Sequence, residues 1–121
     1  MSTPDEPDLA ALRPVLPDGL PHDRRPMVAR VDALPGNEDQ LRAAVVALTR
    51  GCRAEAGCLE FTPYEDALWP GRFHLVEVYA STAAFEEHLG TPHVQEFWRA
   101  LLACSSNRDA SNLTQLVEVD V

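Results

Sequence analysis

Trp69-Pro70-Gly71-Arg72-Phe73-His74-Leu75-Val76-Glu77-Val78-Tyr79-Ala80-Ser81-Thr82 decides the fold, because it runs from a turn through a strand to a helix start without a break. Trp-Pro-Gly is a turn signal, Arg72 to Ala80 reads as a strand, and Ser81 or Thr82 offers the side-chain oxygen that caps a helix. Upstream, Cys58 to Tyr64 reads as another strand, so Glu65 to Gly71 makes the two a hairpin. Downstream, a short helix carries Phe85, His88 and Leu89. Thr91-Pro92 then restarts the chain as a second helix, with proline in the first turn, where its missing N–H costs nothing. Val94, Phe97, Trp98, Leu101 and Leu102 form that helix's apolar stripe.

Working outward, Val28 to Ala33 reads as a first strand ended by Pro35-Gly36. Asn37 caps a helix, with Gln40 placed to return a bond to the cap backbone. Leu41, Val45, Leu48 and Cys52 recur at helical spacing, so one face of residues 38–55 is buried. Gly57 stands where a left-handed helix stop is expected. After the helix pair, Ser105 to Ser111 reads as a polar loop. Leu113 to Val121 reads as the last strand, with Leu113, Gln115, Val117, Val119 and Val121 on one face. Strand, helix, strand, strand, helix pair, strand is the split βαβ, ferredoxin-like order. The fold class is therefore α+β, a four-stranded antiparallel sheet with helices on one face. Its other face needs cover, which a twofold homodimer packed sheet to sheet supplies.

The 121 residues make one domain of 27–121 behind an arm of 1–26. The arm holds Pro4, Pro7, Pro14, Pro17, Pro21 and Pro26, six of the ten prolines. It reads as flexible, or as a segment that packs on the partner or over a pocket mouth. Its acidic start lacks the basic and apolar stretches of a secretory signal, which places the protein in the cytoplasm. No apolar run is long enough to span a bilayer. A formal charge of −9 with no basic patch argues against nucleic acid and anionic membranes as partners. Small molecules and a second copy of the chain remain. Cys52, Cys58 and Cys104 have no C-x-x-C spacing and read as buried small hydrophobes rather than disulfides, a zinc site or a nucleophile.

Glu55-Ala56-Gly57-Cys58-Leu59-Glu60-Phe61, then Gly71 to Tyr79, then Phe85-Glu86-Glu87-His88-Leu89-Gly90-Thr91-Pro92-His93-Val94-Gln95 follow one progression. Over about residues 27–121 the chain resembles the antibiotic biosynthesis monooxygenase family of dimeric α+β barrels. The resemblance implies a dimer with a pocket in each subunit between sheet and helices. It also implies chemistry of the kind relatives perform: cofactor-independent oxygenation of quinols and polycyclic phenols, haem degradation, or signal-molecule turnover. The haem-degrading branch uses an asparagine, a tryptophan and a histidine ligand at places that hold Ala29, His88 and Trp98 here. Without that ligand, haem has no axial side chain.

His88 and His93 are the candidate catalytic residues, since imidazole exchanges a proton near neutral pH. His88 shares the inward side of its helix with Phe85. His93 opens the next helix, whose dipole favours the neutral base, though capping or packing at the helix junction explains it slightly better; for His88 a pocket and a structural role weigh evenly. His74 alternates with Val76 and Val78 on one sheet face and reads more simply as a satisfied structural histidine. No histidine spacing makes a metal site, so no metal and no organic cofactor is expected, with O2 as co-substrate. Phe61, Phe73, Tyr79, Phe97 and Trp98 are candidate walls for a flat ligand, each also a natural core residue. Arg30 is a candidate partner for a phenolate oxygen, whereas Arg72 reads as a solvated strand end, and Trp69 as a lid or dimer contact. The function these residues suggest is histidine-assisted, cofactor-free monooxygenation of a small aromatic, phenolic or quinol, polyketide-like molecule. The alternatives are a non-oxidative isomerase or cyclase of a natural-product pathway, and a non-catalytic dimer that binds a small ligand.

Overall fold

The computed structural model describes residues 24–112. Its elements are β1 (Arg25–Ala33), α1 (Glu38–Arg53), β2 (Cys58–Glu65), β3 (Arg72–Tyr79), α2 (Thr82–Leu89), α3 (Pro92–Cys104) and β4 (Ser105–Asn112). The strands form one antiparallel sheet in the order β2-β3-β1-β4. Consecutive strands β2 and β3 are a hairpin, whereas β1 sits between β3 and β4 because each helical segment carries the chain back across the sheet. This is the ferredoxin-like arrangement.

The period of two along β3 decides which side is core. Phe73, Leu75, Glu77 and Tyr79 are buried towards the helices, while Arg72, His74, Val76 and Val78 are half-buried on the opposite face. Met27 and Val31 of β1 and Phe61 of β2 join the inward set. Leu41, Val45 and Leu48 of α1, Phe85 and Leu89 of α2, and Val94, Phe97, Trp98 and Leu101 of α3 close over them. Fully burying one side chain of this size contributes roughly 1.5–3 kcal/mol, so this layer supplies most of the driving force.

On the open face Arg72 makes two hydrogen bonds to Asp32, at 2.9 and 3.0 Å, and its guanidinium lies 3.5 Å from the centre of the Trp69 ring. Arg72 is thus an anchored strand residue rather than a solvated one. Those bonds, with one from Arg30, outweigh the burial that would raise the Asp32 carboxyl and hold it below its usual range. Across the sheet edge, Arg42 of α1 grips both oxygens of Glu65, at 2.7 Å each.

Four sequence expectations change. Ser105–Asn112, read as a loop, is the strand β4. It is an edge strand whose ladder to β1 needs only backbone groups, so its polar composition is no obstacle. The strand expected at Leu113–Val121 lies outside the described residues. β1 begins at Arg25, so the last two residues of the expected arm belong to the sheet, and residues 1–23 lie outside the described residues. Gly57 has no positive φ, which occurs instead at Gly36 and Gly71; Gly57 is needed because a Cβ there would meet Ala84 Cβ at 2.6 Å. Asn37 bonds the side chain of Gln40 rather than the helix backbone. Ser81, in contrast, caps α2 as expected, accepting from Ala84 N at 3.0 Å.

Candidate active site

Three chain segments converge at one end of the helical layer. The first is the end of α1. Its stripe carries Cys52, fully buried, and the chain then turns with the Glu55 N–H bonded to Cys52 O at 3.0 Å. That turn aims the Glu55 carboxylate back under the helices. The second is the α2–α3 corner. His88 follows Phe85 by one turn and shares its buried side. Thr91 Oγ1 then donates to His88 O at 2.8 Å, and Gln95 Nε2 to Leu89 O at 3.1 Å, which fixes the corner and the direction of α3. His93, in the first turn of α3, lies flat against α1 at Gly51, where a Cβ would stand 2.4 Å from His93 Cγ. Only glycine admits the ring there. The third segment is β3, which delivers Glu77 and Tyr79 from below.

The side chains form a continuous chain of polar contacts. His93 Nε2 lies 2.6 Å from Glu55 Oε2, and His88 Nδ1 lies 2.9 Å from the same oxygen. The other nitrogen of His88, Nε2, is 2.9 Å from the Tyr79 hydroxyl, which donates to Glu77 Oε1. Cys52 Sγ approaches His88 Nδ1 at 3.9 Å. The His88 ring is stacked on Phe85 with centroids 5.8 Å apart and tilted against Tyr79 at 4.6 Å. Exposure falls along the chain: the side chain of His93 is 24% exposed, Glu55 15%, Glu77 8% and His88 7%. His93 and Glu55 are therefore the end nearer solvent.

Burial sets the electrostatics. It pushes the Glu77 carboxyl up to about 7, against the Tyr79 hydrogen bond and helped by the nearby Glu55 charge. It pulls His88 below its usual value despite the Glu55 hydrogen bond, so the ring favours the neutral form. It raises the Cys52 thiol and the Tyr79 phenol far above their ordinary ranges, with the carboxylates adding to the effect. Neither is a nucleophile or a proton donor near neutral pH. Cys58 is only half-buried, unlike the expectation for it, and its thiol is raised to about 11.

Cys52, Glu55, His88 and His93 each offer one donor atom, all within 4.8 Å of one another, so together they could hold a metal ion. Doing so would require each histidine to turn an unprotonated ring nitrogen to the ion in place of its contact with Glu55, and a thiolate at Cys52.

The structure thus joins His88 to His93 through Glu55 and brings Tyr79 to them. Phe61, Phe73, Phe97 and Trp98 are all buried in the core of the same layer; Phe61 stands opposite Glu77 in the β2–β3 ladder, whereas Phe73 is at the other end of β3, below Arg42 of α1. Arg30 is elsewhere: it points to the open sheet face and bonds Asp32 at 3.0 Å. His74 is on that face too, 3.5 Å from Asp66. Trp69 is half-exposed in the hairpin under Arg72. Sequence reading missed Glu55 and Glu77 as site residues. Glu77 carried a legible signal, an acid in step with Phe73, Leu75 and Tyr79 on a strand. Glu55 carried none beyond its place at a helix end.

A sequence model of the antibiotic biosynthesis monooxygenase family matches residues 27–100. Among individual proteins, a Mycobacterium tuberculosis protein provisionally named monooxygenase Rv0793 is 39% identical over 67 residues. That is 55% of this chain and 65% of that protein, just under two thirds of its length. The crystal structure of PA3566 from Pseudomonas aeruginosa superposes with a TM-score of 0.75 at 30% identity, covering 82% of this chain and 100% of the other. The structure of Rv0793 gives a TM-score of 0.73 at 30% identity, covering 80% and 99%.

Proposed function

The chain belongs to the antibiotic biosynthesis monooxygenase family, and on that premise we propose that it is a cofactor-independent monooxygenase of a small phenolic or quinol substrate. The observation that carries the reading is the single Glu55 oxygen shared by two histidines, one buried and one partly exposed. An imidazole whose Nε2–H is held by a carboxylate presents Nδ1 as the base, and the imidazolium it becomes is stabilised by that carboxylate. Among the described residues no group hydrogen-bonds His93 Nδ1. His93 is the proton acceptor in this reading, Glu55 its orienting partner, and His88 the group that holds Glu55 from behind.

The overall reaction is phenol plus O2 to quinone plus water. His93 takes the phenolic proton, and the electron-rich phenolate carbon adds O2 to form a C–O bond, the resulting peroxide taking up a proton. Loss of the proton on that carbon then breaks the O–O bond, leaving a carbonyl and releasing hydroxide, which is protonated to water. All four electrons that reduce O2 come from the substrate. A positioned acid–base group of this kind contributes about 10²–10⁴ in rate. Assembly follows the same reading: a homodimer in which the sheet face bearing Val28, Val76 and Val78 is covered by a second copy.

The test is oxygen uptake against a panel of naphthols, hydroquinones and polycyclic phenols, run in parallel under argon. Stoichiometric O2 consumption with quinone formation, lost in His93→Ala, supports the reading. Turnover that persists at the same rate without O2 establishes the isomerase or cyclase instead. Ligand binding with no turnover, unaffected by His93→Ala, establishes the non-catalytic binder.

A further inference from the structure

Cys52, Glu55, His88 and His93 each bring one donor atom to a point where none of the four is more than 4.8 Å from another. No sequence motif marks the set. Cys52 and Glu55 lie at and just beyond the end of α1, and His88 and His93 flank the α2–α3 corner. In a tetrahedral zinc site, with bonds of about 2.0–2.2 Å to nitrogen and oxygen and about 2.3 Å to sulfur, neighbouring donors stand about 3.3–3.6 Å apart. Here Cys52 Sγ and His88 Nδ1 are 3.9 Å apart, and His88 Nδ1 and His93 Nε2 stand 2.9 and 2.6 Å from Glu55 Oε2. Shifts below about 1 Å bring these three pairs to zinc geometry.

We propose that these four side chains bind one zinc ion, through Cys52 Sγ, a Glu55 carboxylate oxygen, His88 Nδ1 and His93 Nε2. The donor set suits that ion: thiolate, imidazole and carboxylate together favour zinc over magnesium or calcium, which take oxygen alone. Thiolate and carboxylate carry two negative charges, so a divalent ion leaves the buried site neutral. The site is also braced from outside. His88 Nε2 lies 2.9 Å from the Tyr79 hydroxyl, whose own hydrogen goes to Glu77. An Nε2–H on His88 therefore donates to Tyr79 and leaves Nδ1 as a lone pair aimed at the cluster, the arrangement that metal-binding histidines use. The absence of a side chain at Gly51 lets the other ring lie against α1 with Nε2 on the same point.

Binding releases the Cys52 thiol proton, and the His93 hydrogen moves from Nε2 to Nδ1. His93 then has no lone pair left to accept a proton. The ion is thus not a cofactor of the proposed oxygenation but excludes it, because both use the His93–Glu55 pair. The inference goes beyond that reading: zinc holds the protein in an inactive form, and its removal restores the proton acceptor. Entry is from the His93 side, since Cys52 and His88 are buried more deeply.

The test uses the untagged full chain, stripped with a chelator and titrated with zinc chloride and, as a spectroscopic probe, cobalt chloride. One ion per chain is expected, with the intense visible bands of tetrahedral cobalt and a thiolate-to-cobalt charge-transfer band in the near ultraviolet. X-ray absorption on the zinc form is expected to show one sulfur at about 2.3 Å beside nitrogen and oxygen at about 2.0–2.2 Å. Cys52→Ser is expected to remove the charge-transfer band. His93→Ala is expected to weaken zinc binding by more than about 100-fold, beyond the roughly 10–100-fold that follows loss of an outer partner such as the Tyr79 hydroxyl. His74→Ala, on the opposite sheet face, is expected to leave binding unchanged. No binding, or an octahedral cobalt spectrum without the thiolate band, overturns the proposal, as does a zinc affinity that His93→Ala leaves intact. The wild-type spectra decide the matter even if Cys52→Ser does not fold. No substrate enters these measurements, so their failure is distinct from a failure of the monooxygenase reading.

Discussion

Glu55 and His93 are 38 positions apart in the chain and meet at 2.6 Å, the carboxylate from just beyond one helix and the imidazole from the first turn of another. The contact is possible because Gly51 leaves the ring room to lie against α1. His88, which shares the same carboxylate oxygen, is the more deeply buried of the two histidines. Removing each histidine therefore has a different consequence.

His93→Ala is expected to lower kcat by about 10²–10⁴-fold with the fold intact, since it removes the partly exposed group proposed as the proton acceptor. His88→Ala is expected to lower stability as well, because it opens a gap beneath Tyr79 and Phe85 and leaves the Tyr79 hydroxyl without one of its partners. Steady-state rates beside urea denaturation curves separate the two effects. Equal losses of stability in both variants would contradict this division of roles.

Gly51→Ala provides a sharper probe of geometry. Inside a helix this change ordinarily stabilises by about 1 kcal/mol, but here the new methyl would stand 2.4 Å from His93 Cγ. The ring must move, and displacing a catalytic group by about 1 Å costs on the order of 10²-fold in rate. The expected result is a protein of near wild-type stability with kcat/KM strongly reduced.

Tyr79→Phe removes one oxygen and breaks two contacts, to Glu77 and to His88. Both partners are buried, so the loss of stability is roughly 1–3 kcal/mol, the cost of leaving polar groups unsatisfied. Thermal unfolding followed by circular dichroism measures it. A change near zero would show that water replaces the hydroxyl.

Glu77 makes stability depend on pH with a definite sign. Its carboxyl rises from 4.5 in the unfolded chain to about 7 in the fold. Between those values the folded protein keeps a proton that the unfolded chain has released. The contribution is thus fully present below about 4.5, falls as pH rises to about 7, and is flat above; its size is about 3 kcal/mol. His88, held below its usual value, works the other way, adding stability as pH rises towards 6.5. Glu77→Gln removes the first effect alone. Relative to wild type, the variant should gain stability between urea titrations at pH 5 and pH 8.

Much of the fold was legible because it rests on short-range periodicity. The hairpin of β2 and β3, the Ser81 cap and the apolar stripes of α1 and α3 each follow from spacing within one segment. The polar strand β4 was not legible, since an edge strand can be held by backbone bonds that leave no mark on composition. For the site, the buried stripe that held Phe85 and His88 was readable, and so was the inward aromatic set of Phe61, Phe73, Phe97 and Trp98. Arg30 shows the limit: strand alternation says that it shares a face with Asp32, but not which face meets the helices.

The sequence by itself determined the order of elements, the family from Met27 onward, and two histidines as the chemical groups to watch. Only the tertiary structure decided what those histidines meet. Their partners, Glu55 beyond α1 and Glu77 and Tyr79 on β3, come from segments whose approach depends on how helices close over a sheet. The protonation of a buried acid likewise depends on what surrounds it in three dimensions. Local pattern places a residue on a face; long-range packing sets its solvation and its neighbours, and these are what turn a carboxylate, a phenol and two imidazoles into one proton-sharing chain.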